Sequence, residues 1–345
     1  MAYTTINKSS LNFNVSTWTG NNNARTISGV GFQPDLVWEK CTSNTYSNIL
    51  TDSVRGKTKQ IRSDTSAGEG TSTQGITAFN SDGYVLGTQN EFANNGNTFV
   101  GWNWKAGTSF TNDASSTGVG TIDSAGSVNA AAGLSIIEFT GTGANGTVAH
   151  GLGAAPAMII FKELQQGYAW RVYHKSLANT QKLELSVPNA VSTDATAFNS
   201  TSPTSTVFSV GSSGGTNYNG SRIIAYCYAE KQGYSKFGRY QGNSNANGPF
   251  INLGFRPSFF MAKATGRSES WYIFDNKRLG YNPDNNQSYA DSNSTQDTTD
   301  YIDMLSNGIK FKYNSVGLNG NNENYIYMAF GQSIVGTNNQ PNNAR

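Results

Sequence analysis

Gly31-Phe-Gln-Pro-Asp-Leu-Val-Trp-Glu-Lys40 is the stretch on which the reading of the fold turns, because two diverged echoes follow it: Gly153-Ala-Ala-Pro-Ala-Met-Ile-Ile-Phe-Lys162 and Gly254-Phe-Arg-Pro-Ser-Phe-Phe-Met-Ala-Lys263. Each places a glycine three residues before a proline, then an apolar run, then a lysine six residues after the proline. A proline-fixed turn feeding a short apolar run predicts a buried strand. The prolines stand at positions 34, 156 and 257, about one small domain apart, so the chain reads as three diverged tandem units.

Outward from these stretches, Leu11, Phe13 and Val15 alternate with polar residues, the period of a half-buried strand. Downstream of each echo comes a short strand: Ile49-Leu-Thr-Asp52, Trp170-Arg-Val-Tyr-His174 and Trp271-Tyr-Ile-Phe-Asp275. Strand geometry puts Trp170, Val172 and His174 on one face, matching Trp271, Ile273 and Asp275, and makes Asp52, His174 and Asp275 equivalent. Asp52 and Asp275 each precede an arginine by three residues, Arg55 and Arg278, and a turn-closing hydrogen bond or ion pair is the expected use. Asp82-Gly83 and Asn307-Gly308 predict hairpin turns. A lone Asp-Gly lacks the alternating oxygen ligands of a calcium loop. The units close on aromatic strands, Phe99 to Trp104, Ile223 to Tyr228 and Tyr325 to Phe330. One face of these is large (Trp102, Trp104; Tyr226, Tyr228; Met328, Phe330) and the other mostly small.

The composition agrees. With 38 glycines, abundant Asn, Ser and Thr, and no sustained Ala, Leu, Glu and Lys runs, the 345 residues favour strands and turns. The expected fold is all-β: three tandem, diverged antiparallel β-sandwich units of jelly-roll or lectin-like kind. The expected units span 1–107, 133–232 and 233–335, with a linker or arm at 108–132 and a tail at 336–345. Charged residues make up 13% and the formal net charge is +2, which argues against a nucleic-acid channel or a polybasic membrane patch. No apolar run is long enough to span a bilayer, and the first residues lack a secretory h-region, so the expectation is a chain folded in reducing cytoplasm.

No nucleophile elbow, P-loop, dinucleotide fingerprint or zinc spacing occurs, and no cofactor or metal is expected. His150 reads as satisfying backbone groups at a strand end, and Cys41 and Cys227 read as packed thiols. A glycosidase needs two positioned carboxylates, and Glu138 and Glu163 flank the second echo, but ordinary edge charges do the same. The expectation is a protein that is not an enzyme. Carbohydrate binding finds better candidates in Trp170, Tyr173, Trp271 and Tyr272, aromatic residues beside long polar loops, since the apolar face of a sugar packs against such rings.

Asp52-Ser-Val-Arg-Gly56, Trp102-Asn-Trp-Lys-Ala-Gly107, Thr140-Gly-Thr-Gly-Ala-Asn145 with His150-Gly-Leu152, Ala225-Tyr-Cys-Tyr-Ala-Glu-Lys-Gln-Gly-Tyr-Ser-Lys-Phe237 and Trp271-Tyr-Ile-Phe-Asp-Asn-Lys-Arg278 resemble a family of virion proteins of marine tailed phages, cyanophages included. The resemblance runs to the closing Pro341-Asn-Asn-Ala-Arg345 and brings no catalytic residues. It implies a structural protein assembled in the host cytoplasm and located in the virion. The favoured role is a tail-associated fibre or receptor-binding protein that meets host surface glycans; the alternatives are capsid decoration (a cement protein) and, third, a polysaccharide depolymerase. The implied partners are other virion proteins and copies of the chain itself, a homotrimer being favoured, with no nucleic acid and no membrane insertion. Trp38 has Ile160 and Met261 as counterparts, so its position asks for bulk rather than indole. Function is expected in the loops, where the units differ.

Overall fold

The computed structural model describes residues 3–278, 282 and 285–336. The tail expected at 336–345 lies outside the described residues except for Gly336.

In the first unit, β1 (Phe13–Thr19), β2 (Arg25–Ile27), β3 (Leu36–Cys41), β4 (Ile49–Asp52), β5 (Lys59–Arg62), β6 (Gly70–Thr71), β7 (Ile76–Asn80), β8 (Gly83–Leu86) and β9 (Thr98–Trp104) build two sheets, ordered β1-β9-β3-β4-β5-β6 and β2-β8-β7. In the second, β10 (Thr108–Asn112), β11 (Ser124–Asn129), β12 (Leu134–Thr140), β13 (Gly146–Ala149), β14 (Met158–Glu163), β15 (Arg171–His174), β16 (Gln181–Lys182), β17 (Ser192–Thr193), β18 (Val207–Val210) and β19 (Arg222–Tyr228) give β10-β11-β12-β19-β14-β15, β13-β18 and the small pair β16-β17. In the third, β20 (Ser235–Gln241), β21 (Phe250–Asn252), β22 (Arg256–Ala264), β23 (Tyr272–Asp275), β24 (Ser288–Tyr289), β25 (Ile302–Leu305), β26 (Gly308–Phe311) and β27 (Asn324–Gln332) give β20-β27-β22-β23-β24 and β21-β26-β25. Every ladder between these strands is antiparallel.

One strand order is written in all three large sheets: β1-β9-β3-β4, β12-β19-β14-β15 and β20-β27-β22-β23. The echoed glycine opens each set for a steric reason. Gly31, Gly153 and Gly254 have φ of 90°, 66° and 77°, a left-handed conformation that an L side chain adopts only under strain. Asp82 anchors the first of these turns from its own hairpin, accepting the Gly29 and Gly31 amides at 3.0 and 2.6 Å. Residues 108–132, read above as a linker or arm, form β10 and β11, laid antiparallel along the outer edge of β12.

Each large sheet uses both faces. One face packs on its own small sheet to make a sandwich core, built around Tyr84, Leu86 and Phe99 in the first unit, Phe161, Phe198 and Phe208 in the second, and Phe260, Phe274 and Phe311 in the third. The opposite faces of all three large sheets meet in one shared core containing Trp38, Trp102 and Trp104, Tyr226 and Tyr228, Phe259, Met328 and Phe330. That is why the closing strands are large on one side: Trp104 lies 5.5 Å from Phe259 and 6.4 Å from Tyr228, ring centre to ring centre. Each large side chain sealed there contributes about 1.5–3 kcal/mol.

Polar bonds around this core run head to tail. Lys162 Nζ donates to the Ser66 carbonyl of the first unit, Lys263 Nζ to the Pro188 carbonyl of the second, and Lys40 Nζ to the Ser292 carbonyl of the third. The residue just before each second strand does the same: Trp170 Nε1 donates to Arg62 O (2.9 Å), Trp271 Nε1 to Glu184 O (2.8 Å), and the Asn48 amide to Ala290 O (3.0 Å). Even the backbone repeats the pattern, with Glu69 N donating to Leu164 O, Val191 N to Thr265 O and Gln296 N to Thr42 O. The three units therefore stand in a closed cyclic arrangement, and Ser9 N, donating to Gln332 Oε1 at 2.7 Å, ties the beginning of the ring to its last strand.

Candidate functional site

The side chains best suited to chemistry are engaged inside the scaffold. Asp52 and Asp275 pair with Arg55 and Arg278 at 2.6 and 2.7 Å, and each also caps its turn by accepting the arginine's amide. Across the unit boundary Tyr226 Oη donates to Asp52 and Trp102 Nε1 donates to Asp275. His174, at the equivalent register position, accepts the Ser176 amide on Nδ1 and donates from Nε2 to the Tyr327 carbonyl at 3.1 Å. Burial lowers its pKa to about 4, so the ring is neutral and keeps this tautomer. His150 accepts the Leu152 amide and faces the Thr204 carbonyl. Both thiols are buried, which raises their pKa. Of the two carboxylates weighed for glycoside chemistry, Glu163 caps the Gln165 and Gln166 amides and Glu138 binds Arg222 through both oxygens.

The four aromatic residues expected at a carbohydrate site are all inside. Trp170 and Trp271 are 0% and 1% exposed and face the shared core, fixed by the cross-unit bonds above. Tyr173, 5% exposed, packs edge-on against Phe198 in the second sandwich, and Tyr272, 9% exposed, donates to Glu269 at 2.8 Å. The structure brings none of them to a common surface, so no ring face among them is open to a sugar. Their alternation was legible in sequence. What covers Trp170 and Trp271 was not, because the cross-unit partners that hold them belong to the neighbouring unit.

The surface instead offers a groove along the free edge of β1. It consists of two adjoining clefts of about 390 and 440 Å³ that share Thr17, Trp18 and Lys277. Its far wall is the Asp275–Arg278 turn of the third unit with Asn286 and Gln296; its near end is β2 with Arg25 and Thr26. Thr17 and Thr19 are exposed, while Trp18 is turned inward, its Nε1 donating to the Phe92 carbonyl at 2.8 Å. Among the described residues no carboxylate lines either cleft. Arg278 is neutralised by Asp275, but Arg25 and Lys277 have no ion pair or side-chain hydrogen bond, and the Arg25 Nε and Asn286 Oδ1 atoms are sealed from solvent without a partner among the described residues. Beyond Gln296 lies a third cleft of about 610 Å³ lined by Ser270, Tyr289, Ser294, Thr295 and Asp297. Its carboxylate is already engaged by the Thr299 amide and Tyr301 Oη.

Among the described residues no three His, Cys, Asp or Glu side chains cluster as a metal site, and no helix is long and apolar enough to cross a membrane. Sequence reading passed over Arg25 and Lys277, since only the fold makes them neighbours of one groove. No curated protein and no solved structure matches the chain. A family model described as a domain of unknown function (DUF7483) matches residues 8–333, and the chain belongs to that family.

Proposed function

We propose that the chain is a non-enzymatic structural protein of a tailed-phage virion, tail-associated, which meets host surface glycans through the groove beside β1. The observation that carries this reading is the groove itself, where the exposed Thr17 and Thr19 and two cations without an ion pair among the described residues, Arg25 and Lys277, line an open surface. Neutral and ionic hydrogen-bonding groups of that kind suit a polyhydroxylated ligand. The non-enzymatic part rests on the candidate acids and bases being engaged in capping, pairing and cross-unit bonds. Other virion proteins and further copies of the chain, a trimer being favoured, are its proposed partners.

The test is adsorption of the purified protein to host cells and to a glycan array, together with immunogold labelling of the virion. Binding of glycans and label at the tail are expected. Failure of the wild-type protein to bind any glycan or cell would sink the receptor reading. Capsid decoration is favoured by one feature, the cyclic arrangement of units, which suits seating on a symmetric shell; label on capsid faces or vertices would select it. Release of reducing ends from host polysaccharide would instead mark a depolymerase.

A further inference from the structure

The three large sheets each have an equivalent outer strand, and the chain treats the three edges differently. The edge of β12 is covered by its own arm, β10 and β11. The cleft beside β20 is lined by Tyr3, whose hydroxyl donates to the Gly254 carbonyl, and by Glu230, a carboxylate already paired with Lys175 at 2.6 Å. The cleft system beside β1 is lined by no carboxylate among the described residues, and it holds both Arg25 and Lys277. These two cations come from parts of the sequence about 250 residues apart and are brought together by ring closure between the first and third units.

The Arg25 Nε, sealed from solvent without a partner among the described residues, is costly to leave uncompensated, and the exposed Lys277 ammonium in the same groove adds a second positive charge that an anion can meet. A guanidinium offers a planar fork to a sulfate, phosphate or carboxylate group, and an ammonium offers a point charge. The exposed Thr17 and Thr19 then lie along the same groove for the ligand's own hydroxyls. We propose that the groove binds an anionic saccharide, its acidic group set between Arg25 and Lys277. This rests on the glycan-binding reading above and names the class of glycan.

The test titrates the full chain with dextran sulfate oligosaccharide, oligogalacturonate and neutral dextran at low and moderate salt. Binding of one or both anionic probes is expected, at least tenfold tighter than neutral dextran and weakening with salt. The pair Arg25→Ala and Lys277→Ala should lower that affinity at least tenfold, Lys277→Glu alone should also lower it, and Lys277→Arg should keep it. Unchanged thermal melting of the exposed Lys277 variants separates binding from folding.

Equal binding of neutral dextran overturns the charge assignment while leaving glycan binding standing. Anion binding that the double variant does not disturb also overturns it, as a general charge effect. Equally tight binding of a DNA oligonucleotide with the same dependence on both residues reassigns the groove to nucleic acid. Charges beside an open strand also discourage pairing with another chain. If the double variant only aggregates, with probe affinity intact, that guarding role is the whole explanation.

Discussion

The phenol of Tyr226 donates a 2.7 Å hydrogen bond to the carboxylate of Asp52, 174 positions earlier in the chain, and both groups are buried. The same carboxylate receives the Arg55 guanidinium at 2.6 Å. An ion pair formed within one turn thus becomes a joint between two units. Tyr226→Phe removes the donor and changes little else. A hydrogen bond to a charged acceptor is worth about 1.5–3 kcal/mol, so the urea midpoint should fall by a corresponding amount with an unchanged m-value. Trp102→Phe, which removes the donor to Asp275, should act in the same direction at a different joint.

The three echoed lysines make stability rise with pH over an alkaline window. Burial lowers the pKa of Lys40, Lys162 and Lys263 from 10.5 to about 8. Between pH 8 and 10.5 the unfolded chain therefore holds more protons at these sites than the folded one, and raising pH favours folding. The gain is at most about 1.4 kcal/mol per pH unit for each lysine. Denaturation at pH 7.5, 8.5 and 9.5 should show the wild type gaining on Lys162→Met as pH rises. Parallel curves would contradict the shift.

His174 predicts the acid limb. With its pKa lowered to about 4 by burial, the folded ring stays neutral where the unfolded one, near 6.5, takes a proton. Stability is therefore lost as pH falls from about 6.5 towards 4, and His150, shifted in the same direction by burial, adds to the loss. His174→Asn should be less stable at neutral pH yet show a shallower decline between pH 6.5 and 4.5. Thermal melts across that range measure both.

At Glu39 the first sandwich carries a burden its sisters lack. Its counterparts are Phe161 and Ala262, the residue is 1% exposed, and neither carboxyl oxygen has a hydrogen-bond partner among the described residues. Burial raises its pKa well above the ordinary value, so it stays protonated where the unfolded chain ionises, and its cost grows as pH rises above about 4.5. Glu39→Met should raise stability by about 1–3 kcal/mol at pH 7. The gain should be smaller at pH 4. Destabilisation at both pH values would show that the carboxyl has a role the free energy of burial does not explain.

Much of the architecture was legible because it is local. The glycine-proline turns, the Asp82-Gly83 and Asn307-Gly308 hairpins and the alternation of Trp102 and Trp104 all follow from neighbours within a few positions. The closing lysine was legible only as a recurrence; its reason, a carbonyl in the adjacent unit, lies about 75 to 250 residues away. The same distance hid the fate of Trp170 and Trp271. Their sequence context, aromatic residues beside polar loops, is what an exposed platform and a cross-unit anchor have in common. Arg25 and Lys277 carried no signal at all, because a groove made by ring closure leaves no spacing to read.

The closed ring also sets an order in time. As the chain leaves the ribosome, Asp52 and Arg55 form their pair early, but Tyr226 arrives only with the second unit, and the carbonyls that Asn48 needs arrive with residues 289–292. The last strand, β27, sits between β20 and β22, so the third sheet cannot assemble before it is made. A product cut short before that strand lacks Ile326, Met328 and Phe330 of the shared core and is expected to expose the aromatic faces packed there and to aggregate. Closure of the ring therefore waits on β27, whose residues complete both the third sheet and the shared core.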